Sequence, residues 1–483
     1  MKTRNAKLVA VLLIICLALG LSGCGKPAVD QSKEVNLVWW VYGDKPKDAD
    51  LVVAEINKYI KPKINATVDI QWTSYDGTVF TNKMNLLSSA GDKYDLVFTA
   101  SWVNSFQLGA QKGFFMPLDD LLAKYGQGVK KAVDPMFWDG TIIKGNHYAV
   151  PTNKEVAVEA RYSFNMNLLK KAGMDSSVFK TIKSLADLEP IFAKMHKADP
   201  NVYCYSNWDK FREYDIIIDY NIPGAVRVDD PNCRVINQFE DAPFIAVLKQ
   251  MRKFYQEGYV SKSEKDAPLQ LFTQGKLLCA AFDNNPYIDL ERSRDLGFPI
   301  ESAPAYPPIA TVNSVAGAMT AISATSENPE RAMALLNLVN TDPVLRNMFS
   351  YGVEGVHFNK VGATEIEFTA RHGDYSPPHW LFGNFFILYT VKGDPADKWE
   401  KFREFNASVK KSPIFGFFFD GEPVRSELSA LQNIGNEFAP TLFRGSVDVD
   451  EAVRNFADKA KGAGLDKVLA EMQKQIDAWR AAK

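Results

Sequence analysis

The chain is poor in the residues and patterns that carry most chemistry. Only 5 of its 483 residues are histidine and 5 are cysteine, and no Cys/His spacing suggests a zinc site. It lacks GxxxxGK[ST], GxGxxG after a strand, HExxH and GxSxG, the patterns that build phosphate loops, dinucleotide sites, zinc proteases and serine hydrolases. Gly126-Gln127-Gly128-Val129-Lys130 imitates part of a phosphate loop, but its spacing is wrong and no strand precedes it. Charge of one sign is also missing, with 56 Lys and Arg against 58 Asp and Glu, a net −2. A slightly acidic chain without basic clusters is unsuited to coating nucleic acid. Only one apolar run is long enough to consider for a membrane, which excludes a multi-pass membrane protein. Paired carboxylates for acid–base work stay open, because 58 acids offer many chance pairs and sequence does not tell which face each other.

What is present is ordinary globular material, 46% hydrophobic and 24% charged. That composition excludes disorder and collagen-like repeats, and the length fits two large domains. No internal repeat of solenoid length occurs. The apolar run Leu8–Gly23 follows Lys2, Arg4 and Lys7 and ends in small residues, the layout of a secretory signal. At 16 residues it is short of the roughly 20 needed to span a bilayer. Leu21-Ser22-Gly23-Cys24 resembles the lipobox of bacterial lipoproteins. That resemblance implies cleavage before Cys24, a lipid on its thiol, and stable anchoring by more than one acyl chain. A plain N-terminal anchor with an incidental cysteine is the alternative. Residues 1–23 are then the signal and 24–34 a lipidated polar tether.

Export permits disulfides. Cys204 and Cys233 lie in polar, turn-rich sequence and could pair; three free thiols are the alternative. Cys279, in the apolar KLLCAAF, reads as a small buried hydrophobe.

Along the first half, strand and helix signals alternate. Val35–Tyr42 reads as a strand, Asp48–Ile60 as a helix, Ala66–Trp72 as an alternating strand, Val79–Ser89 as a helix and Tyr94–Thr99 as a buried strand. This order predicts a mostly parallel sheet flanked by helices. Ligands meet such sheets at the carboxyl ends of the strands, here Tyr42–Asp44, Thr73–Tyr75 and Ala100–Trp102. Further on, Val156–Phe164 and Lys276–Phe282 read as strands, Ser184–His196 and Ala242–Glu257 as helices, and Val226–Ile236 as a hairpin. Asn328-Pro329 and Asp342-Pro343 each open a helix. Leu465, Val468, Leu469, Met472, Ile476 and Trp479 form a helical stripe of core packing. His372 and His379 flank RHGDYSPPH, read as a loop with two unrelated histidines and not as a metal pair.

Aromatics are plentiful: 9 Trp, 18 Tyr and 31 Phe, or 12%. Several fall where strands end, where ring faces can stack on the C–H faces of sugars while Asp, Asn, Glu and Arg bind hydroxyls.

Leu271-Phe272-Thr273-Gln274-Gly275-Lys276, leading into LLCAAFDNNP, resembles the F-x-x-GK-x-A-M block of extracellular solute-binding proteins of ABC importers, oligosaccharide-binding branch (family 1 type). Ala321–Ala324 with SENPERAMALLNLVNTDP resembles the "sknPeeA" helix of that family. Tyr351–His357 is similar to the YG-x-E-G-x-H/Y tract of a lipoprotein subgroup whose C-terminal domain is called DUF3502. Gly383 through SPIFGFFFDGEPVRSEL to EMQKQIDAW resembles that domain. Cys279 departs from the usual Met or small residue of the first block.

The resemblance implies an α/β, two-lobed, periplasmic-binding-protein-like fold. Each lobe is a mostly parallel sheet flanked by helices, with a helical C-terminal part. The expected division is 35–152 plus 296–345 for lobe one and 153–295 plus 346–483 for lobe two. It also implies no cofactor, no metal and no covalent chemistry. The ligand is expected to be an oligosaccharide held in the interlobe cleft, the partners two permeases with a cytoplasmic ATPase, and the protein a lipid-anchored monomer on the extracellular face of the cell membrane. The same fold binding a peptide or another solute, and a secreted glycoside hydrolase, are the alternatives. By matching positions, ligand contacts are expected from Trp40, Tyr42, Trp102, Asn153, Trp208, Asp209, Asn284 and Glu354, and from Trp380, Asn384, Phe418 and Asp420 in the C-terminal part.

Overall fold

The computed structural model describes residues 32–483 except 158, 207–212 and 264–267; the signal, Cys24, Trp208 and Asp209 therefore lie outside the described residues. Strand β1 (Val35–Val41) buries Leu37, Trp39 and Val41 on one face, the period-two alternation of VNLVWWV. It is followed by α1 (Ala49–Ile64), β2 (Ala66–Trp72), α2 (Gly77–Ala90) and β3 (Leu96–Thr99). Val52, Ile56, Ile60 and Ile64 form the buried stripe of α1, at helical spacing. β1 runs parallel to both β2 and β3. All of β3 is buried, as a central strand covered on both faces requires. Met319–Ile322 then pairs antiparallel with β3, and Ala149–Pro151 pairs antiparallel with Met319–Ile322. The first sheet thus takes strands from two distant parts of the chain, in the order β2, β1, β3, 319–322, 149–151.

The second sheet has the order 300–304, 159–165, 277–284, 203–205. It is mixed where a mostly parallel sheet was expected: Glu159–Asn165 is antiparallel to both of its neighbours, and only 203–205 pairs parallel. Ile300–Pro304 belongs to this sheet and not to the first-lobe return segment at 296–345. The cause is local. Helix Ile288–Leu296 ends at Gly297, whose positive φ of 75° turns the chain straight back onto Glu159–Asn165. Ser163 and Ser302 then share a buried hydroxyl hydrogen bond of 2.8 Å.

The segment after residue 345 is also divided, where the sequence reading placed all of it in lobe two. Phe349 and Phe382 lie 5.6 and 5.4 Å from the Trp39 ring and close the core of the first sheet. Trp39 needs this cover because its face of β1 is otherwise open to water. Three C-terminal helices, Arg425–Arg444, Val449–Gly462 and Leu465–Ala481, pack with Ala242–Gln256 around Phe239, Phe244 and Phe456. The stripe Leu465, Val468, Met472, Ile476 is buried there, as core packing.

Cys204 and Cys233 do not pair. They sit in separate hydrophobic clusters as free buried thiols, Cys204 donating to the Phe192 carbonyl and Cys233 to the Pro413 carbonyl. Cys279 is buried as expected. His372 lies flat on Phe368, with centroids 3.5 Å apart, whereas His379 meets Tyr351 at 4.9 Å. Burial pushes His372 down to about 4 and His379 down to about 3. Each stays neutral in the fold and takes up a proton near 6.5 once unfolded, so its contribution to stability is lost as pH falls below 6.5.

Trp39→Ala is expected to destabilise the protein by about 3–5 kcal/mol in denaturant unfolding. Trp39→Phe should cost much less, because the buried indole N–H has no hydrogen-bond partner among the described residues. His379→Gln should gain on the wild type by on the order of 1–3 kcal/mol as pH is lowered from 7 to 4, read from unfolding curves across that range.

Candidate ligand site

The loops at the carboxyl ends of β1 and β2 are stitched together by their backbones. Gly43 donates to the Ser74 carbonyl at 3.2 Å and Thr73 to the Gly43 carbonyl at 3.1 Å. Gly43 has φ 132°, a conformation that glycine adopts without a Cβ penalty. Tyr42 and Tyr75 are thereby brought edge to face, 5.4 Å apart, and the Tyr42 hydroxyl donates to the Tyr75 carbonyl. After β3, the Ser101 amide donates to the Ala316 carbonyl at 2.8 Å, and the Trp102 indole N–H donates to the Gly317 carbonyl at 2.7 Å. These two bonds hold the Trp102 ring upright, with 54% of the residue exposed.

Trp380 completes the group. It comes from the C-terminal part, and its carbonyl accepts from the Thr152 hydroxyl at 3.1 Å. Its ring lies 5.8 Å from Trp102 and 6.2 Å from Tyr42. Four rings from four chain segments therefore form one cluster at the carboxyl edge of the first sheet, with Trp102 and Tyr75 exposed. Burial, then the charges of Tyr42 and Asp44, push the Tyr75 phenol up to about 12. The cluster thus offers neutral ring faces and hydroxyls at neutral pH.

A cavity of about 220 Å³ adjoins the cluster through Ser101 and Ala316. Phe106 and Gln107 of α3 (Phe106–Gln111), Asp215, Asn313 and Phe418 line it from different elements. The Gln107 side-chain amide donates to the Phe419 carbonyl across the opening. Asp215 is buried, and its Oδ2 accepts from the Ser412 hydroxyl. Burial pushes this carboxyl up to about 7, while the Ser412 bond pulls the other way. Apolar walls with a few placed polar groups are the usual make-up of a small-molecule site. Among the described residues, no group of three or more His, Cys, Asp or Glu could hold a metal ion.

The structure therefore gathers Tyr42, Trp102 and Trp380, and sets Phe418 on the cavity wall 6.0 Å from Phe106. Other expected contacts lie elsewhere. Trp40 points away from the cluster, half-buried against α2 with the Lys83 ammonium 5.4 Å from its ring, because its neighbour Trp39 takes the core face of the strand. Asn153 and Asn384 are buried and bonded to each other at 3.0 Å; their side-chain amides also donate to the Ala132 and Asn340 carbonyls and accept from the Asp134 and Phe386 amides. They join distant chain segments. Glu354 is exposed and paired with Lys360 at 3.5 Å. Asp420 accepts from the Glu422 amide and borders a surface groove that shares Leu108, Gln111, Gly421 and Leu428 with that cavity. Asn284 ends its strand opposite Glu159.

Tyr75, Gln107 and Asp215 were not among the expected contacts. Tyr75 carried a usable signal, an aromatic just past a strand. Asp215 carried a weaker one, a single acid followed by three isoleucines.

Comparison with known proteins agrees with this architecture. Residues 49–344 match the family described as bacterial extracellular solute-binding protein, and residues 413–481 match a domain of unknown function, DUF3502. A carbohydrate ABC transporter substrate-binding protein of Streptococcus pneumoniae is 31% identical over 96% of both chains. The crystal structure of the N-glycan transport solute-binding protein NgtS from the same species superposes with a TM-score of 0.85 at 30% identity, over 92% of this chain and 99% of that one. Its complex with Man5GlcNAc gives 0.79 at 31% identity, over 93% and 99%. An extracellular solute-binding protein from Bifidobacterium longum subsp. infantis, at 16% identity and a TM-score of 0.60 over 92% and 98%, shares the fold. On its sequence match and its two-sheet architecture alike, the chain belongs to the bacterial extracellular solute-binding proteins.

Proposed function

We propose that the protein captures an oligosaccharide between two lobes and passes it to the permeases of an ABC importer powered by a cytoplasmic ATPase. The observation that carries this reading is the cluster of Tyr42, Tyr75, Trp102 and Trp380 beside a cavity of apolar walls with a few polar groups. Sugar hydroxyls exchange water for protein partners at little net gain, so stacking on ring faces has to supply much of the affinity. The names of the relatives support the reading, since one is a carbohydrate transporter component and another was solved with Man5GlcNAc bound.

In this reading the lobes are built on the two sheets. The chain crosses between them after Pro151 and after Pro304, and the segment around Phe349 and Phe382 goes with lobe one. Closure of such lobes on a ligand is a hinge motion. In this reading the protein acts as a monomer. Cys24 anchors the protein by lipid on the extracellular face of the membrane.

The reading is tested by a thermal-shift screen with neutral oligosaccharides, monosaccharides and peptides, together with an assay for released reducing ends. Stabilisation by oligosaccharides without turnover is expected. Stabilisation by peptides alone would point to another solute, and turnover to a glycoside hydrolase.

Trp102→Ala is expected to weaken oligosaccharide binding at least about tenfold, the loss of one stacking ring at about 1–3 kcal/mol. Because the ring is largely exposed, the melting temperature should move by only a few degrees. Calorimetry and a melt on the purified variant decide both points. Cys24→Ala is expected to leave the protein unlipidated, seen as loss of palmitate labelling and of partitioning into detergent.

A further inference from the structure

The segment Pro413–Phe419, PIFGFFF, opens the matched domain of unknown function, and its side chains go to two different cores. Phe415 is buried in the core of the first sheet, and Phe418 packs against that core, 6.0 Å from Phe106. Ile414, Phe417 and Phe419 are buried in the cluster of the three C-terminal helices, where Phe417 meets Trp479 at 5.7 Å. Helix Ala242–Gln256 fixes that cluster to the second sheet, giving Phe244 and Leu248 to the one core and Met251 and Phe254 to the other. Polar bonds repeat the division. The Gln107 side-chain amide donates to the Phe419 carbonyl from the first-sheet side, and the Cys233 thiol donates to the Pro413 carbonyl from the other. Just before the segment, the Ser412 amide donates to the Ala310 carbonyl at 2.9 Å, beside the crossing that follows Pro304.

Resting on the two-lobe reading above, we infer that Pro413–Phe419 is a strap about which the lobes turn, a pivot supplied by the domain of unknown function. Residues two apart on an extended chain point to one side. Gly416, with φ 88°, breaks that rule between Phe415 and Phe417 and lets them enter different cores. Two residues span at most roughly 7 Å, so with both rings seated the cores stay tethered at this point. Pulling either ring into water would expose a large apolar area. The strap therefore stays seated, and the lobes part away from it. A ligand then meets lobes that swing about a fixed point. Loosening the strap adds arrangements that do not fit the ligand, and apparent affinity falls with the fraction of competent molecules.

The test compares the full chain with Phe415→Ala and with Gly140→Ala, which places a methyl 2.6 Å from the Phe415 ring. Neither residue belongs to the ring cluster. Small-angle X-ray scattering without ligand should give both folded variants a larger radius of gyration than the wild type. Calorimetry with Man5GlcNAc should show binding weakened at least about fivefold. A wild-type radius in folded Phe415→Ala would overturn the inference, whatever the affinity. If neither variant folds, hydrogen exchange in the wild type decides. The Phe415 and Phe417 amides, bonded to the Ser412 and Ile414 carbonyls, should exchange slowly, at rates that change less than about twofold when Man5GlcNAc is added. Fast exchange there, or exposure that depends on the ligand, would mean that the strap unseats and would overturn the inference. Failure of the wild type to bind Man5GlcNAc would count against the oligosaccharide reading alone, because the scattering comparison and the unliganded exchange need no ligand.

Discussion

The site depends on one buried joint between distant parts of the chain. The Asn153 side-chain amide donates to the Asn384 carbonyl oxygen at 3.0 Å. The two backbones continue the joint, with the Asn153 amide donating to Gly383 and the Phe385 amide donating to Asn153. Thr152 adds a bond to Trp380. Buried amides of this kind are costly if left unpaired, so the C-terminal segment has one well-defined seat. That seat delivers Trp380 to the rings of Tyr42 and Trp102, and sets Phe382 against Trp39. Core and site are thus closed by the same contact.

The cluster is arranged for stacking. Tyr42 meets Tyr75 and Trp102 edge to face, at 85° and 82°, the arrangement that ring quadrupoles favour. Tyr42 is spent on this packing, and the exposed faces of Tyr75 and Trp102 remain available. The indole N–H of Trp102 is already bonded to Gly317, so the ring need not be ordered when a ligand arrives. Such preorganisation reduces the entropy lost on binding.

Charge has a different task. Most ion pairs are exposed, many at i,i+3 spacing, and contribute little. One buried network links helix Ile288–Leu296 to the segment 394–398. Lys398, almost fully buried, meets Glu291 at 2.5 Å and Asp394 at 2.8 Å, and Arg294 meets Asp394 at 2.9 Å. Breaking one member would leave a buried charge unpaired, so this network fixes the helix that follows the second sheet's long strand against the C-terminal part.

The sequence by itself determined the local elements and which aromatics end the strands of the first sheet. Period-two runs such as VNLVWWV and ATVDIQW became β1, one residue shorter than expected, and β2 with the expected boundaries, and Asp342 caps its helix through the Val344 and Leu345 amides. These outcomes rest on neighbours in the chain, which a sequence displays directly. Tyr42 and Trp102 were legible for the same reason, as aromatics just past strands. The mixed pairing of the second sheet, the split of the C-terminal segment and the free thiols were decided only by tertiary structure, because each depends on partners more than a hundred residues away or on the lack of one. Asparagines 153 and 384 show the limit most clearly. Nothing local distinguishes an amide that binds a sugar from one that bonds another amide across the fold, since both are polar residues beside a loop, and only the seat of Gly383 on the first crossing decided between them.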